Sequence, residues 1–308
     1  MGRRSRVHRL APTLLALLVA SGCASAPGVS ASRATDRVIR VVAAEDSWGS
    51  IAKQLGGSHV RVTSVITNPN TDPHDYEPTV QDARDFADAR LVLLNGAGYD
   101  AWAQRLLAAG PDSSRVVLDV GDLVGVPPGG NPHLWYSPAD VHAVMSRVTA
   151  DYERLDPHDA AYFDGRRQRY ESESLGEYDR LIAEIGSRYG GTPVGGTESV
   201  VTPLAKALGL RMLTPRGFLD AVSEGVDPTA ADKATVDSQI RSRRIKVLFY
   251  NGQNATPDVT ALLSAAKAAG IPVVTVTETL APASATFQDW QVRQLRATEQ
   301  ALKSATGR

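Results

Sequence analysis

The chain has a single cysteine, Cys23, in 308 residues, and with no second thiol an intrachain disulfide is excluded. It has no apolar run long enough to cross a bilayer. The longest, Leu10 to Ala20, falls well short of the roughly 20 residues that a membrane-spanning helix needs. It has no excess of positive charge, with 33 basic against 34 acidic residues, and no broad basic field, which argues against nucleic acid as a partner. There is no His-Glu-x-x-His run, no nucleophile elbow, no convincing internal repeat and, beyond one short segment near the start, no low-complexity tract.

The first residues carry an export address instead. Arg3, Arg4, Arg6 and Arg9 precede the apolar stretch, no acid occurs before Gly22, and Ala20-Ser21-Gly22-Cys23 ends it, which predicts a secretory signal over residues 1–22. The setting of Cys23 resembles a bacterial lipoprotein cleavage box, in which the thiol carries lipid. Ala20 stands where such boxes more often hold leucine, so an ordinary signal with an incidental cysteine is the alternative. Alanine, serine, glycine and proline dominate the segment from Ala24 to Ala34 and predict a flexible tether over residues 23–35. Loss of the signal leaves 29 basic against 34 acidic residues, a formal charge of −5.

The remaining length exceeds what one hydrophobic core usually serves, so two lobes are expected. Short β-branched runs (Val38–Val42, Val60–Ile66, Leu91–Asn95, Val116–Val120, Arg211–Thr214, Lys246–Tyr250, Pro272–Thr277) alternate with helix-like stretches at Trp48–Leu55, Thr79–Ala89, Asp100–Ala109, Thr229–Arg243, Asp258–Ala269 and Phe287–Ala305. Alternation of this kind predicts an α/β fold with parallel sheets flanked by helices. Residues 157–190 differ: no strand-like run, no proline after Pro157, and dense charge interleaved with Tyr162, Tyr170, Leu175, Tyr178, Leu181 and Ile185. One long spine helix is expected there, weakened at Gly165 and Gly176, between an N-terminal lobe over 36–156 and a C-terminal lobe over 191–308.

Two Pro-His pairs stand out: Asp72-Pro73-His74-Asp75-Tyr76-Glu77-Pro78 and, 59 residues on, Asn131-Pro132-His133-Leu134-Trp135-Tyr136-Ser137-Pro138. Each proline stiffens the backbone that carries the imidazole, as a coordination site requires. Each histidine follows a strand, and in the second half Glu198 and Glu278 do the same, at the end of a sheet where α/β proteins bind ligands. Two neutral imidazoles and two carboxylates balance the charge of a divalent cation. The plainer readings are that Glu198 is a first-turn helix acid and Glu278 a solvated one. His59, His142 and His158 read as surface or capping residues.

On these motifs the sequence resembles the metal-binding solute receptors of manganese and zinc ABC importers, over about Val38 to Leu302. The hallmark Asp-Pro-His-x-Tyr-Glu-Pro-Thr with its Asn-Gly-x-Gly turn is matched by Asp72–Thr79 and Asn95–Gly98. The hallmark Asp-Pro-His-x-Trp-x-x-Pro is matched by Asn131–Pro138, with asparagine leading. The resemblance implies His74, His133, Glu198 and Glu278 as metal ligands, Glu278 standing where most members carry aspartate. Asn251 stands where many carry an acid, a change expected to act on contacts around the ligands rather than on ligation. Members dedicated to zinc often carry a long His-rich loop between the Pro-His motifs, and here only Gly121–Gly130 is found.

The implied protein is no enzyme. It is an extracytoplasmic, lipid-anchored, monomeric receptor that captures Mn2+ or Zn2+ as cargo and presents it to a membrane permease. Two glutamates suit a harder ion such as manganese, whereas zinc accepts imidazole and carboxylate alike, so both remain open. The alternatives are a metal-dependent hydrolase, which would need an open coordination position, and a cell-surface adhesin.

Overall fold

The computed structural model describes residue 2 and residues 38–68 and 76–308. The chain divides into two units, Met1–Asp36 and Arg37–Arg308, and the second holds every element below. The expected signal, Cys23 with its tether, and His74 lie outside the described residues.

The first half runs β1 (Ile39–Glu45), α1 (Asp46–Gly56), β2 (Val60–Ile66), α2 (Val80–Asp88), β3 (Leu91–Leu94), α3 (Ala101–Ala109), β4 (Val116–Asp119) and α4 (Val120–Val124). Three helices follow, α5 (Pro138–Leu155), α6 (Ala160–Arg169) and α7 (Gly176–Tyr189). The second half runs β5 (Pro193–Gly196), α8 (Thr202–Ala207), β6 (Arg211–Met212), α9 (Arg216–Ser223), α10 (Ala230–Arg241), β7 (Val247–Asn251), α11 (Pro257–Ala268), β8 (Val273–Val276) and α12 (Phe287–Thr306). The α/β expectation holds: there are two four-stranded sheets, ordered β2-β1-β3-β4 and β6-β5-β7-β8, with every pairing parallel.

Both sheets share one plan. The chain leaves an inner strand for one edge and returns to the other side, so a crevice opens at the carboxyl ends of β1 and β3 and again at those of β5 and β7. Strand residues alternate between two apolar layers. Val41 and Ala43 join a core that continues through α5, α6, α7 and α12 into the second sheet, while Val42 and Ala44 face Phe86 and Trp102 on the outer side. Leu248 joins α10 and α11 in the matching outer layer of the second sheet.

The linking region departs from one uninterrupted helix. A 3-10 turn at Pro157–Asp159 leads into α6, a π-helical turn spans Tyr170–Ser174, and α7 carries on to Tyr189. Leu175 N donates to Tyr170 O at 2.9 Å, a five-residue closure. In a regular α-helix those two side chains would diverge by about 140°, whereas the wider turn brings both back onto the core side, where both are buried. Helix α5 goes beyond the expected set, although its signals are local: Ser137 caps Asp140 N, Pro138 opens the first turn, and Val141, Val144, Met145, Val148 and Tyr152 line one buried face.

Hydrogen bonds stitch the halves together. The Tyr136 hydroxyl lies 2.7 Å from both Thr277 O and Gln294 Oε1, and Phe287 N donates to Ser50 Oγ at 2.9 Å. Asp46, buried at the start of α1, accepts Leu280 N with Oδ2 at 3.1 Å. Burial pushes its carboxyl up to about 7, against the lowering effect of that bond. Asp100 is pushed up to about 6 by burial, and Glu45 well above the carboxylate range by burial and then by Asp100 and Asp46.

An acid with a higher pKa folded than unfolded binds the extra proton only in the native state, between its ordinary value of 3.8 and about 7 for Asp46. Stability therefore falls as pH rises through that interval and levels off above it. The metal-free protein is expected to have a higher Tm at about pH 5 than at about pH 8. Asp46→Asn, which keeps an oxygen for Leu280 N–H, should flatten that drop and raise Tm at the alkaline end. Identical pH slopes in thermal melts of the two proteins would refute this account of Asp46.

Candidate metal centre

The second Pro-His motif is held from both ends. Trp48 Nε1 donates to Asn95 Oδ1 at 3.0 Å, and Asn95 Nδ2 donates to Pro132 O at 2.7 Å, tying the loop to the end of β3. Gly96, Ala97 and Gly98 all have positive φ, and Asp100 receives Asn95 N at 2.6 Å and Gly96 N at 2.9 Å, so the chain coils tightly under the loop. A Cβ at Gly96 would collide with the Asp119 carboxylate, which is why glycine stands there. His133 reaches the site from β4 only by way of α4 and this loop, and it opens the 3-10 turn Leu134–Tyr136.

The protonation pattern of the buried His133 ring follows from its neighbours. Asn131 Nδ2 donates to Ser199 O at 2.9 Å, which identifies Asn131 Oδ1 as the acceptor. That oxygen receives His133 N at 3.0 Å and His133 Nδ1 at 2.9 Å. Nδ1 therefore carries a proton, and Nε2 is the ring nitrogen that faces Glu278 of the other half.

Nε2 meets a carboxylate from the other half. His133 Nε2 and Glu278 Oε2 stand 3.4 Å apart, with 0% and 2% of the side chains exposed. Glu278 follows β8 and is oriented by donors from both halves: Tyr99 Oη donates to Oε2 at 2.7 Å, and Asn251 Nδ2 to Oε1 at 2.7 Å. Its backbone N–H donates to Gln253 Oε1. Trp135 packs edge-on against His133, ring centroids 5.6 Å apart, and against Tyr99 at 5.3 Å, closing the floor with apolar surface.

Glu198 follows β5 in extended conformation ahead of the 3-10 turn Ser199–Val201 and is buried. Its flanks touch the same network: Thr197 Oγ1 accepts Asn251 N at 3.2 Å, and Ser199 Oγ lies 3.4 Å from His133 Nδ1. Asn254 Nδ2 donates to Glu198 Oε2 at 3.4 Å. Thus His133 and Glu278 come together directly, and Glu198 stands on the segment between their supports. Among the described residues alone, no group of three His, Cys, Asp or Glu side chains closes around a common point.

The first Pro-His motif is described from Tyr76 onward. Tyr76 Oη donates to Asp82 Oδ2 at 2.7 Å, its ring lies 5.0 Å from that of Trp102, and burial followed by the Asp82 bond pushes its hydroxyl up to about 12. Thr79 and Asp82 form a reciprocal cap on α2. Two other histidines serve the scaffold. His59 Nδ1 meets Asp159 Oδ2 at 2.6 Å and stacks on Tyr162, and His142 Nε2 meets Asp179 Oδ1 at 3.1 Å. A cavity of about 190 Å3 opens beside the pair, lined by Gly98, Tyr99, Asn131, Ser199 and Ser223 among others.

Tyr99 and Asn254 are neighbours of the candidate ligands that sequence reasoning does not single out, and Asn131 is marked there only as the asparagine that leads the second motif. The one local signal is position: Tyr99 directly follows the Asn-Gly-x-Gly turn, and Asn131 precedes Pro132.

Known proteins fit this architecture. The manganese-binding lipoprotein MntA of Bacillus subtilis (strain 168) is 26% identical over 172 residues, 53% of this chain and 55% of that protein. The high-affinity zinc uptake system protein ZnuA of the same organism is 22% identical over 218 residues, 65% of each. The chain spans about half the length of several such relatives. A manganese-bound mutant of a periplasmic metal binding protein from Candidatus Liberibacter asiaticus superposes with a TM-score of 0.72 at 18% identity, covering 85% of this chain and 98% of that one, a likeness of fold. The family model for the zinc-uptake complex component A periplasmic (ZnuA) matches residues 41–301. That range takes in both sheets, the linking helices and all three described candidate ligands, and on its extent the chain belongs to this family.

Proposed function

We propose that this chain is the extracytoplasmic receptor of a metal importer, capturing zinc or manganese between its two halves and delivering the ion to an ABC permease. His74, His133, Glu198 and Glu278 are its ligands in this reading. Residues 36–156 and 191–308 act as the two metal-binding lobes, and residues 157–190 link them. The protein works as a monomer, anchored through lipid on Cys23.

One observation carries the reading: a buried imidazole nitrogen, His133 Nε2, stands 3.4 Å from a buried carboxylate oxygen of the opposite half, Glu278 Oε2. Two donors each about 2.0–2.2 Å from one ion stand roughly 3–3.5 Å apart. The names of the relatives, which bind manganese or take up zinc, support the choice of cargo. No covalent step is required. The adhesin reading has in its favour a fold likeness to a laminin-binding adhesin of Streptococcus agalactiae, with a TM-score of 0.70.

Loading exchanges the ion's waters for protein donors. The bonds that cross between the halves, Tyr136 with Thr277 and Asp46 with Leu280, oppose wide hinge opening, so the exchange is carried by the loops bearing Glu198 and Glu278.

Protons compete with the metal for imidazole, so calorimetric affinity should fall steeply between about pH 7 and about pH 5, and His133→Ala should weaken binding by about 100-fold or more at neutral pH. Flat affinity across that range would count against histidine ligation. In cells lacking the gene, metal uptake should be lost and restored by the wild-type chain but not by His133→Ala; unimpaired uptake would favour adhesion over transport. Cys23→Ala should shift the protein from the membrane fraction to the soluble extracytoplasmic fraction, and an unchanged distribution would argue against lipid anchoring.

A further inference from the structure

A second cavity, of about 620 Å3, lies apart from the candidate metal centre, and none of His133, Glu198 and Glu278 lines it. It opens where three parts of the chain meet: one face of α1 with Ser50, Lys53 and Gln54, Arg166 of α6, and the segment from Leu280 to Thr286 that leads from β8 into α12. Its volume falls within the about 300–1,000 Å3 of small-molecule sites and is far larger than a single ion needs.

Bonds between the elements fix its walls. Gln54 and Gln288 exchange side-chain amide bonds at 3.0 and 2.8 Å, and Ser50 Oγ accepts Phe287 N at 2.9 Å. Arg166 is set by Gln54 O, which accepts Nε at 2.9 Å and a second guanidinium nitrogen. Gly57, with a φ of 55°, keeps room for that side chain: a Cβ there would run into the Tyr162 hydroxyl and stand 3.2 Å from Arg166 Nε.

The cavity is positive. Among the described residues neither Lys53 nor Arg166 pairs with a carboxylate, whereas Arg167, next in the chain, is held by Asp164 and Glu171. The one acid among the described lining residues, Asp46, turns both oxygens to Leu280 N, at 3.1 and 3.3 Å. Arg166 covers the carboxyl end of α1, the negative end of its dipole, and the positive end of the 20-residue helix α12 contributes Ala285 and Thr286 to the wall. A guanidinium has five N–H donors, and those not spent on Gln54 O, together with the ammonium of Lys53, match carboxylate or phosphoryl oxygens. Ser64 and Ser284 add hydroxyls that suit the polar body of such a molecule.

We propose that this cavity binds a small hydroxylated organic anion, a carboxylate or a phosphate ester, with its charged group on Lys53 and Arg166 and its hydroxyls on Ser64 and Ser284. Walls from the first half, the linking helices and the second half would then hold one molecule, which braces the Leu280–Thr286 segment. The site needs no metal and stands or falls independently of the receptor reading.

The test is calorimetric titration of the metal-free protein with citrate, gluconate, glycerol 3-phosphate, inorganic phosphate and, as a neutral control, glycerol, with hydrogen exchange followed along residues 280–286. At least one of the three organic anions should bind with a Kd below about 1 mM, about tenfold tighter than inorganic phosphate, and slow exchange in that segment, and glycerol should give no heat of binding. Whether gluconate and citrate or glycerol 3-phosphate prevails identifies the charged group. Lys53→Ala, at an exposed position, should weaken binding by about tenfold, and Ser284→Trp, which fills the cavity from an exposed loop, should abolish it. Three results would overturn the proposal: no binding of any organic anion at about 10 mM, inorganic phosphate bound as tightly as they are (an adventitious ion only), or an affinity that neither substitution changes.

Discussion

Burying Glu278 against His133 is the constraint around which the rest of this molecule is arranged. An ionised carboxylate withdrawn from water loses several kcal/mol of solvation unless hydrogen bonds replace its hydration shell. The replacements come from opposite ends of the chain: Tyr99 on the turn after β3 and Asn251 at the end of β7. Neither donor could reach the carboxylate unless both sheets presented their carboxyl edges to one cleft. The shared strand order of the two halves does this, since each crevice beside its inner strand opens at that edge.

The same edge of the first sheet bears a second group of acids with a different task. Glu45, Asp46 and Asp100 lie buried beneath the loops, and burial raises the pKa of each. Asp46 directs its oxygens to Leu280 N, two residues beyond Glu278, and Asp100 directs its own to the Asn95–Gly96 turn that supports Pro132. Asp46 and Asp100 brace backbone, and their cost in stability at alkaline pH is the counterpart of loops held in place without covalent cross-links. A chain with one cysteine has no disulfide to do that work.

What was legible in the sequence, and what was not, divides along distance in the chain. β2 has the expected bounds, and most other strands fall within a few residues, because buried parallel strands are written as contiguous β-branched runs. β6 covers Arg211–Met212 rather than Arg211–Thr214, and those two residues pair with Pro193 and Val194 at the start of β5. His133 and Glu278, which stand 3.4 Å apart, were singled out because stiff turns and strand ends are local features. Tyr99, whose hydroxyl meets Glu278 179 positions away, and Asp46, which meets Leu280 234 positions away, carry no local mark of their roles. The π-turn is of the same kind: only the demand of the core for both Tyr170 and Leu175 widens that turn, and that demand comes from packing partners elsewhere in the sequence.

The chemistry of the supporting donors explains how such a site can be both stable and receptive. To the candidate carboxylates they are a phenol and two carboxamides, Tyr99, Asn251 and Asn254, while the oxygens of Asn131 and Ser199 lie against His133 Nδ1. Neutral donors orient a carboxylate and replace its water without cancelling its charge. An arginine or lysine in the same place would form the stronger, charge-assisted bond, but it would also neutralise the carboxylate and have to be displaced before a cation could bind. Guanidinium pairs such as Arg147 and Arg154 with Asp151 on α5 and Arg180 with Glu184 on α7 serve the helices, and Arg216, which lines the neighbouring cavity, is paired with Asp220 at 2.9 Å. In the receptor proposed above, a cation would meet carboxylates that are held by these neutral bonds, and the bonds can persist when it is held.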